Sequence, residues 1–218
     1  MKKVLLFIAL FVMPIVAYLF FASGVNSFVK LPTVTENIPE LPAWEDENGN
    51  THQLKNKITI LGFTGNNIPH AKGNLANLAH KIYSKNKDFV DFQVVYVAPF
   101  GTENEIKQEV ATLSRDVDFS LRRKTDQPIK IINYHKQLQL LGNLNEGFGT
   151  THVYIIDKEL NLRGRKGKNK KGEEEYREGY NTISAADLHN EMADDVKVIL
   201  AEYRLAINKN NKEENVTE

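Results

Sequence analysis

Residues 57–83, KITILGFTGNNIPHAKGNLANLAHKIY, form the segment around which the rest of the chain is arranged. A short run of β-branched and apolar residues, Ile58–Leu61, predicts a buried strand, which Gly62 and Gly65 interrupt. Apolar residues then recur at the spacing of one helix face, namely Leu75, Leu78, Ala79 and Ile82. The segment therefore predicts a strand, a loop and a helix, in that order.

The loop of this unit, Thr64–His70, is where we expect the functional site. In open α/β sheets, chemistry is usually located where the carboxyl end of a strand feeds a helix N-terminus, because backbone N–H groups and the helix dipole converge there. The loop has the sequence TGNNIPH and offers no convincing nucleophile. The sequence therefore indicates more about the fold and location of the protein than about its activity.

The rest of the chain alternates strand and helix patterns around this unit. The predicted strands are Phe89–Ala98, Asp118–Leu121, Val153–Asp157 and its hairpin partner Leu160–Leu162. The predicted helices are one that begins at the capping box of Thr102 and Glu105, one over Pro128–Leu141, and one capped by Ser184 and Asp187. This order predicts an α/β fold of the thioredoxin-like sandwich type, with a central mixed β-sheet flanked by helices.

Several single features carry further expectations. Asn48-Gly49 predicts the turn of a hairpin, and Trp44 before it is expected to pack on the core. His135 is expected to be an exposed or partly packed imidazole. Residues 163–178, rich first in Arg and Lys and then in Glu, predict a solvated loop, with contact between its basic tip and anionic lipid or an acidic partner as the alternative.

The N-terminus predicts a membrane anchor. Residues 4–23 carry no charge and could span ~30 Å of hydrocarbon as a helix, while Lys2 and Lys3 favour a cytoplasmic N-terminus. Residues 1–24 are therefore predicted to anchor the chain in the cell membrane as a single pass, with a cleavable signal peptide as the alternative. The domain would then face the periplasm or cell exterior.

The predicted domain organisation follows from this anchor. Prolines in residues 25–41 predict an extended linker, residues 42–207 the thioredoxin-like domain, and residues 208–218 a disordered tail.

Composition excludes several classes of function. The 28 basic and 28 acidic residues cancel, so the chain lacks the basic surface with which proteins bind nucleic acid, and no nucleic-acid partner is expected. The chain has no cysteine. Disulfides, thiol redox catalysis, thiol peroxidase chemistry and thiolate metal sites are therefore excluded.

Three segments carry a resemblance to a known family. Residues 41–54 (LPAWEDENGNTHQL), 57–67 (KITILGFTGNN) and 150–164 (TTHVYIIDKELNLRG) resemble the Sco/SenC family of membrane-anchored copper-delivery proteins of the thioredoxin superfamily. In that family a Gly-Phe-Thr-like strand end leads into a Cys-x-x-x-Cys pair, and a histidine before the late strand completes a copper site. Here the two cysteine positions fall on Asn66 and His70. The family histidine falls near Gly149, and this chain has His152 three residues later.

Two hypotheses of function follow, with a weaker third. The first is a membrane-anchored, non-catalytic module that binds an unknown membrane or periplasmic protein during assembly of a membrane complex. The second is metal handling, copper above all, through a residual site of His70 and His152 that Asn66, Asn67 or water completes. The third is a thioredoxin-like oxidoreductase whose chemistry leaves no signal in the sequence.

Overall fold

The sheet is built outward from β2, the strand predicted at Ile58. The computed structural model describes residues 11–16, 30–45, 49–113, 120–121, 128–169 and 171–214. The strands are β1 (Thr33–Thr35), β2 (Ile58–Thr64), β3 (Phe92–Val97), β4 (Ser120–Leu121), β5 (Gly149–Ile156), β6 (Leu162–Arg163), β7 (Arg165–Lys168), β8 (Glu174–Arg177) and β9 (Tyr180–Asn181). The helices are α1 (Ile68–Leu78), which continues as a π-helical segment (Ala79–Tyr83) and a last turn (Ser84–Asn86), α2 (Glu103–Leu113), α3 (Pro128–Gln137), and α4 (Ala193–Glu214), preceded by a π-helical turn (Asp187–Met192).

The main sheet is mixed, as the sequence predicts. Its strand order is β1-β6-β5-β2-β3-β4, and β9 pairs with β5. Strands β2, β3 and β4 are parallel, whereas β5 is antiparallel to β2, β6 and β9. Parallel neighbours need a crossover, which α1 provides between β2 and β3. The predicted α/β sandwich with a central mixed sheet is confirmed.

Each face of the sheet carries its own apolar core, because side chains alternate along every strand. On one face, Ile60, Val94 and Val153 pack against α1 and α4. On the other face, Leu61 and Tyr154 pack against α3 and the segment that precedes β2. Trp44 belongs to this second core, with 6% of its surface exposed, as predicted.

The segment predicted as an extended linker is largely part of the domain. Leu31, Ile38 and Leu41 are buried, and β1 pairs with β6 at the edge of the sheet. The prolines of residues 25–41 indicated a tether, but the apolar residues between them fill gaps along the sheet edge. The domain therefore begins near Leu31 rather than at residue 42.

The predicted membrane anchor lies mostly outside the described residues. Only residues 11–16 of the segment 4–23 are described, and they are helical and exposed. Across the described ranges, no helix combines the length and the apolar character that a membrane span requires. The single-pass anchor therefore stays a prediction.

Two polar segments have more regular structure than the sequence indicated. Residues 163–178 contain β7 and β8, which form a two-stranded antiparallel hairpin in place of the predicted solvated loop. Helix α4 continues to Glu214, so residues 208–214 are helical where a disordered tail was predicted. The remaining tail residues, 215–218, lie outside the described residues.

Smaller differences concern element ends. At the predicted hairpin turn, Glu45 and Thr51 form an isolated antiparallel bridge, while residues 46–48 lie outside the described part of the chain. Helix α3 ends at Gln137 rather than at Leu141, which is 75% exposed. The predicted cap of the last helix is confirmed, because the backbone N–H of Asp187 donates to the Ser184 hydroxyl over 3.1 Å.

Candidate functional site

A cleft of about 430 Å³ opens at the carboxyl end of β2, where the sequence predicts the site. The loop from Thr64 to His70 forms one wall, and the segment that leads into β5 forms the other. The lining residues are mostly amides and hydroxyls, namely Thr64, Asn66, Asn67, Asn74, Asn145, Thr150, Thr151 and Thr182, together with His70, Glu146 and several backbone and apolar groups. The cleft therefore offers many hydrogen-bond donors and acceptors and little charge.

Backbone contacts hold the two walls together. The N–H of Asn66 donates to the carbonyl of Gly147 over 2.9 Å. Gly65 has a φ of +73°, a backbone conformation that residues with a side chain rarely adopt. A Cβ at this position would also lie 2.9 Å from the carbonyl oxygen of Gly147. A Cβ on Gly149 would lie only 2.7 Å from the carbonyl oxygen of Thr64. Glycine at these positions allows the loops to approach closely, which fixes the shape of the cleft.

The two residues that the resemblance places at the family's cysteine positions lie at the start of α1, with Asn66 just before the N-cap and His70 in the first turn. The side chain of Asn67 caps the helix by accepting a hydrogen bond from the backbone N–H of His70 over 3.1 Å. Asn66 and His70 are both exposed and both line the cleft. The amide of Asn66 can form hydrogen bonds, and the imidazole of His70 can also take up or release a proton. Neither group can form a disulfide or carry electrons as a thiol pair does.

His152 is not among the residues that line the cleft. It lies on β5, exposed and paired with Asn181 of β9. Because side chains alternate along a strand, His152 shares a face with Tyr154, which packs against α3, whereas His70 belongs to α1 on the other face. Within the described residues, no group of three or more His, Asp or Glu side chains is arranged to hold a metal ion. The copper or zinc site of His70 and His152 stays a prediction.

Sequence reasoning missed the wall that β5 and β9 contribute. Thr182 follows β9 and donates both its backbone N–H and its hydroxyl to the carbonyl of Thr151. Its own carbonyl accepts a hydrogen bond from Asn77 of α1 over 2.9 Å. These bonds tie the helix to the strand edge across more than a hundred residues of sequence. Single threonines and asparagines so far apart in the chain form no motif, so no local pattern could reveal them.

His135 is buried, contrary to the prediction of an exposed or partly packed imidazole. Only 5% of its surface is exposed, and its ring lies edge-on to Phe63, with 5.2 Å between the ring centroids, and to Tyr154. Its Nε2 atom has no hydrogen-bond partner within the described structure. Burial lowers the pKa of His135 below its usual value of 6.5, and the nearby Glu178 carboxylate partly offsets this effect. Because Phe63 also lines the cleft, the packing of His135 against Phe63 helps to hold this lining residue in place.

This burial predicts a loss of stability in acid. His135 is neutral in the folded protein and has a depressed pKa, so its contribution is complete above the unfolded pKa of about 6.5 and falls as the pH drops toward the folded pKa. We expect His135→Phe to reduce the difference in unfolding free energy between about pH 7.5 and about pH 5.5, as measured by urea denaturation. Lys136→Gln, an exposed neighbour, is the control. An unchanged difference in His135→Phe would assign the acid sensitivity to another group.

The fold and the cleft together define a thioredoxin-like α/β domain that has no cysteine. Among solved structures, a SCO1/SenC family lipoprotein from Bacillus anthracis matches 79% of this chain and 99% of its own, with a TM-score of 0.58 and 18% identity. A candidate protein disulfide isomerase from Bacteroides thetaiotaomicron matches 79% and 95%, with a TM-score of 0.52 and 14% identity. A candidate electron transfer protein from Aquifex aeolicus matches 77% and 94%, with a TM-score of 0.51 and 17% identity.

These comparisons bear on the fold. No family model matches the sequence, and no curated protein matches it either. Identities below 20% show a shared fold and leave the activity of this chain open. The resemblance to the Sco/SenC family that the sequence predicts is confirmed at the level of the fold.

Proposed function

We propose that this chain is a non-catalytic, thioredoxin-fold binding module that recognises a protein partner through the cleft at α1. The proposal rests on one observation. A cleft is present at the carboxyl end of β2, and it is lined by Asn66 and His70 at the positions where the resemblance places the two cysteines of a thiol site. The module is anchored in the cell membrane by residues 4–23, with its domain on the extracytoplasmic side. Its role is to bind a membrane or periplasmic protein during assembly of a membrane complex.

The chemistry of the cleft supports binding rather than catalysis. Amides and hydroxyls form hydrogen bonds with a polypeptide in either direction, because they both donate and accept. Glu146 is the carboxylate among the lining residues. Among the described contacts of the lining hydroxyls, a base is reached only at Thr151, whose Oγ1 lies 3.5 Å from Nδ1 of His152, which is long for a hydrogen bond. Binding through such groups needs complementary geometry. The backbone hydrogen bond between Asn66 and Gly147 joins the two walls of the cleft and holds that geometry in place.

Anchoring through the peptide chain is supported by sequence. The B. anthracis structure with a similar fold is that of a lipoprotein. This chain has no cysteine that a lipid could modify, whereas residues 4–23 carry no charge. Attachment to the membrane would therefore depend on the apolar segment itself.

Site-specific photo-crosslinking tests the proposal. A photoreactive residue at Asn66 or His70 of the full chain, in membranes of the native host, is expected to form an adduct with one defined protein. The same residue at Val90, which is 87% exposed and precedes the amino end of β3, is the control. Asn74→Trp should fill the cleft and suppress the adduct at Asn66. Equal adducts from Val90, or none from the cleft positions, would refute partner binding at this site.

A further inference from the structure

The β7–β8 hairpin has two chemically different faces. Its register pairs Lys166 with Tyr176 and Lys168 with Glu174, so these four side chains share one face. Along β8 the exposure alternates, with Glu174 and Tyr176 exposed and Glu175 and Arg177 half-buried. The outer face, defined here as Lys166, Lys168, Glu174 and Tyr176, is therefore turned toward solvent, while the other face is turned toward the domain.

The charges of the inner face are all engaged. Arg165 donates to both carboxylate oxygens of Asp195, over 2.8 and 3.1 Å, and forms ion pairs with Glu175 and Glu191. Arg177 forms an ion pair with Asp187. These contacts attach the base of the hairpin to the start of α4. They account for the folding of so polar a segment, and they leave neither arginine of its inner face unpaired.

The lysines of the outer side are not engaged. Within the described residues, no ion pair involves Lys166, Lys168 or Lys171, and all three are exposed. Three carboxylates lie near them. Glu174 is opposite Lys168, Glu173 accepts a hydrogen bond from the Asn169 amide over 3.0 Å, and Glu178 accepts one from the Tyr176 hydroxyl over 3.1 Å. Together with exposed Lys30, these lysines exceed the three carboxylates by one positive charge, and the exposed ring of Tyr176 lies among them.

The predicted anchor joins the domain next to this hairpin. The N–H of Leu31 donates to Glu202 over 2.6 Å, and its carbonyl accepts from the Arg163 guanidinium over 2.9 Å. The N–H of Gly164, the residue before β7, donates to the carbonyl of Pro32 over 3.0 Å. The point where the chain leaves the domain toward the membrane is thus beside the base of the hairpin, and exposed Lys30 lies at the same place.

The length of the remaining chain keeps this surface close to the bilayer. Residues 24–30 separate the predicted anchor from Leu31. A fully extended chain advances at most ~3.6 Å per residue, so this segment of seven residues reaches about 25 Å at most. A surface that lies beside Leu31 therefore stays within reach of the headgroups, where lysines are attracted to anionic lipids and tyrosine is favoured at the interface.

We propose that Lys30, Lys171 and the outer face of the β7–β8 hairpin bind anionic lipid headgroups of the membrane that anchors the chain. This proposal rests on the anchoring stated under the proposed function. The contact orients the domain on the bilayer and thereby fixes the direction in which the cleft at α1 is presented. A lysine near an anionic surface strengthens the attraction about fivefold, and raised salt weakens it.

The full chain, reconstituted into lipid vesicles, tests this contact. Because the chain lacks cysteine, Tyr176→Cys gives one labelling site on the outer face. Gln108→Cys gives a control at an exposed position of α2, the helix that precedes β4 at the opposite sheet edge. The readout is quenching of an attached dye by nitroxides on lipid headgroups. We expect strong quenching at position 176 in mixed phosphatidylcholine and phosphatidylserine vesicles, much weaker quenching in phosphatidylcholine alone, and little quenching at position 108.

Charge variants complete the test. K166Q/K168Q/K171Q should abolish the difference between the two vesicle types, whereas the matched triple variant K55Q/K85Q/K136Q, at exposed lysines elsewhere, should keep it. Equal quenching in both vesicle types, with the chain still resistant to carbonate extraction, overturns the lipid contact alone. Release of the chain by carbonate overturns the anchoring and this proposal with it. Protection of the dye in native membranes but not in vesicles overturns the lipid contact in favour of an acidic protein.

Discussion

Replacing Arg163 with alanine is expected to lower the free energy of unfolding by about 3–5 kcal/mol. Arg163 is 7% exposed and donates to Asp157, which is 1% exposed, over 3.0 Å. It also donates to Glu202 over 2.8 Å and to the carbonyl of Leu31. The substitution leaves a buried carboxylate without its cation and a buried carbonyl without its donor, which is the most costly way to break such a cluster.

Urea denaturation of the domain from residue 30 onward, followed by circular dichroism, measures this effect. Lys197→Ala is the matched control, because its ion pair with Asp194 is exposed on both sides and should contribute less than about 1 kcal/mol. Arg163→Lys keeps the charge but loses the planar fork that reaches three acceptors, so an intermediate loss is expected. A loss in Arg163→Ala no larger than that in Lys197→Ala would contradict the structural importance of the cluster.

The same cluster illustrates what the sequence could and could not predict. The strand at Ile58–Leu61 and the helix face from Leu75 to Ile82 were predicted correctly, because their apolar spacing is a local signal. The burial of Leu31 was missed, because the prolines around it indicated a tether. Its contacts with Arg163 and Glu202 come from residues 132 and 171 positions away, and no local pattern reports them.

The β7–β8 hairpin was missed for a related reason. Strand prediction relies on apolar residues that alternate with polar ones. In this hairpin the exposed face carries mainly lysine and glutamate, and the face turned toward the domain carries charged side chains that form ion pairs. Its stability depends on Asp195 and Asp187, which belong to the region of the last helix. The local sequence of such a segment predicts a solvated loop, because the carboxylates that bind its arginines lie elsewhere in the chain.

The site was predicted by position but not by composition. The carboxyl end of β2 was identified because strand–loop–helix units place functional loops there, and the cleft does lie at Asn66 and His70. The expected contact between His70 and His152 depended on which face of the sheet the His152 side chain occupies. The alternation of side chains along β5 places His152 on the same face as Tyr154. The buried state of His135 was hidden because its aromatic neighbours, Phe63 and Tyr154, come from two other elements.

Replacing Gly149 with alanine is expected to lower the free energy of unfolding by about 2–3 kcal/mol. An added Cβ would lie 2.7 Å from the Thr64 oxygen and 2.8 Å from the Gly65 nitrogen. Both are backbone atoms, so the new methyl group cannot be accommodated by a side-chain rotation. The two walls of the cleft would have to separate, which strains the hydrogen bond between Asn66 and Gly147.

The matched control is Gly73→Ala, because a Cβ at Gly73, on the exposed side of α1, meets nothing within 4 Å. This substitution should raise the unfolding free energy by about 0.5–1 kcal/mol, since alanine favours the helix and loses less entropy on folding. Urea denaturation would thus give opposite signs for the same chemical change. Photo-crosslinking from Asn66 should weaken in Gly149→Ala and persist in Gly73→Ala. Equal stability of the two variants would mean that the loops can part freely, and the cleft would then not be a preformed binding site.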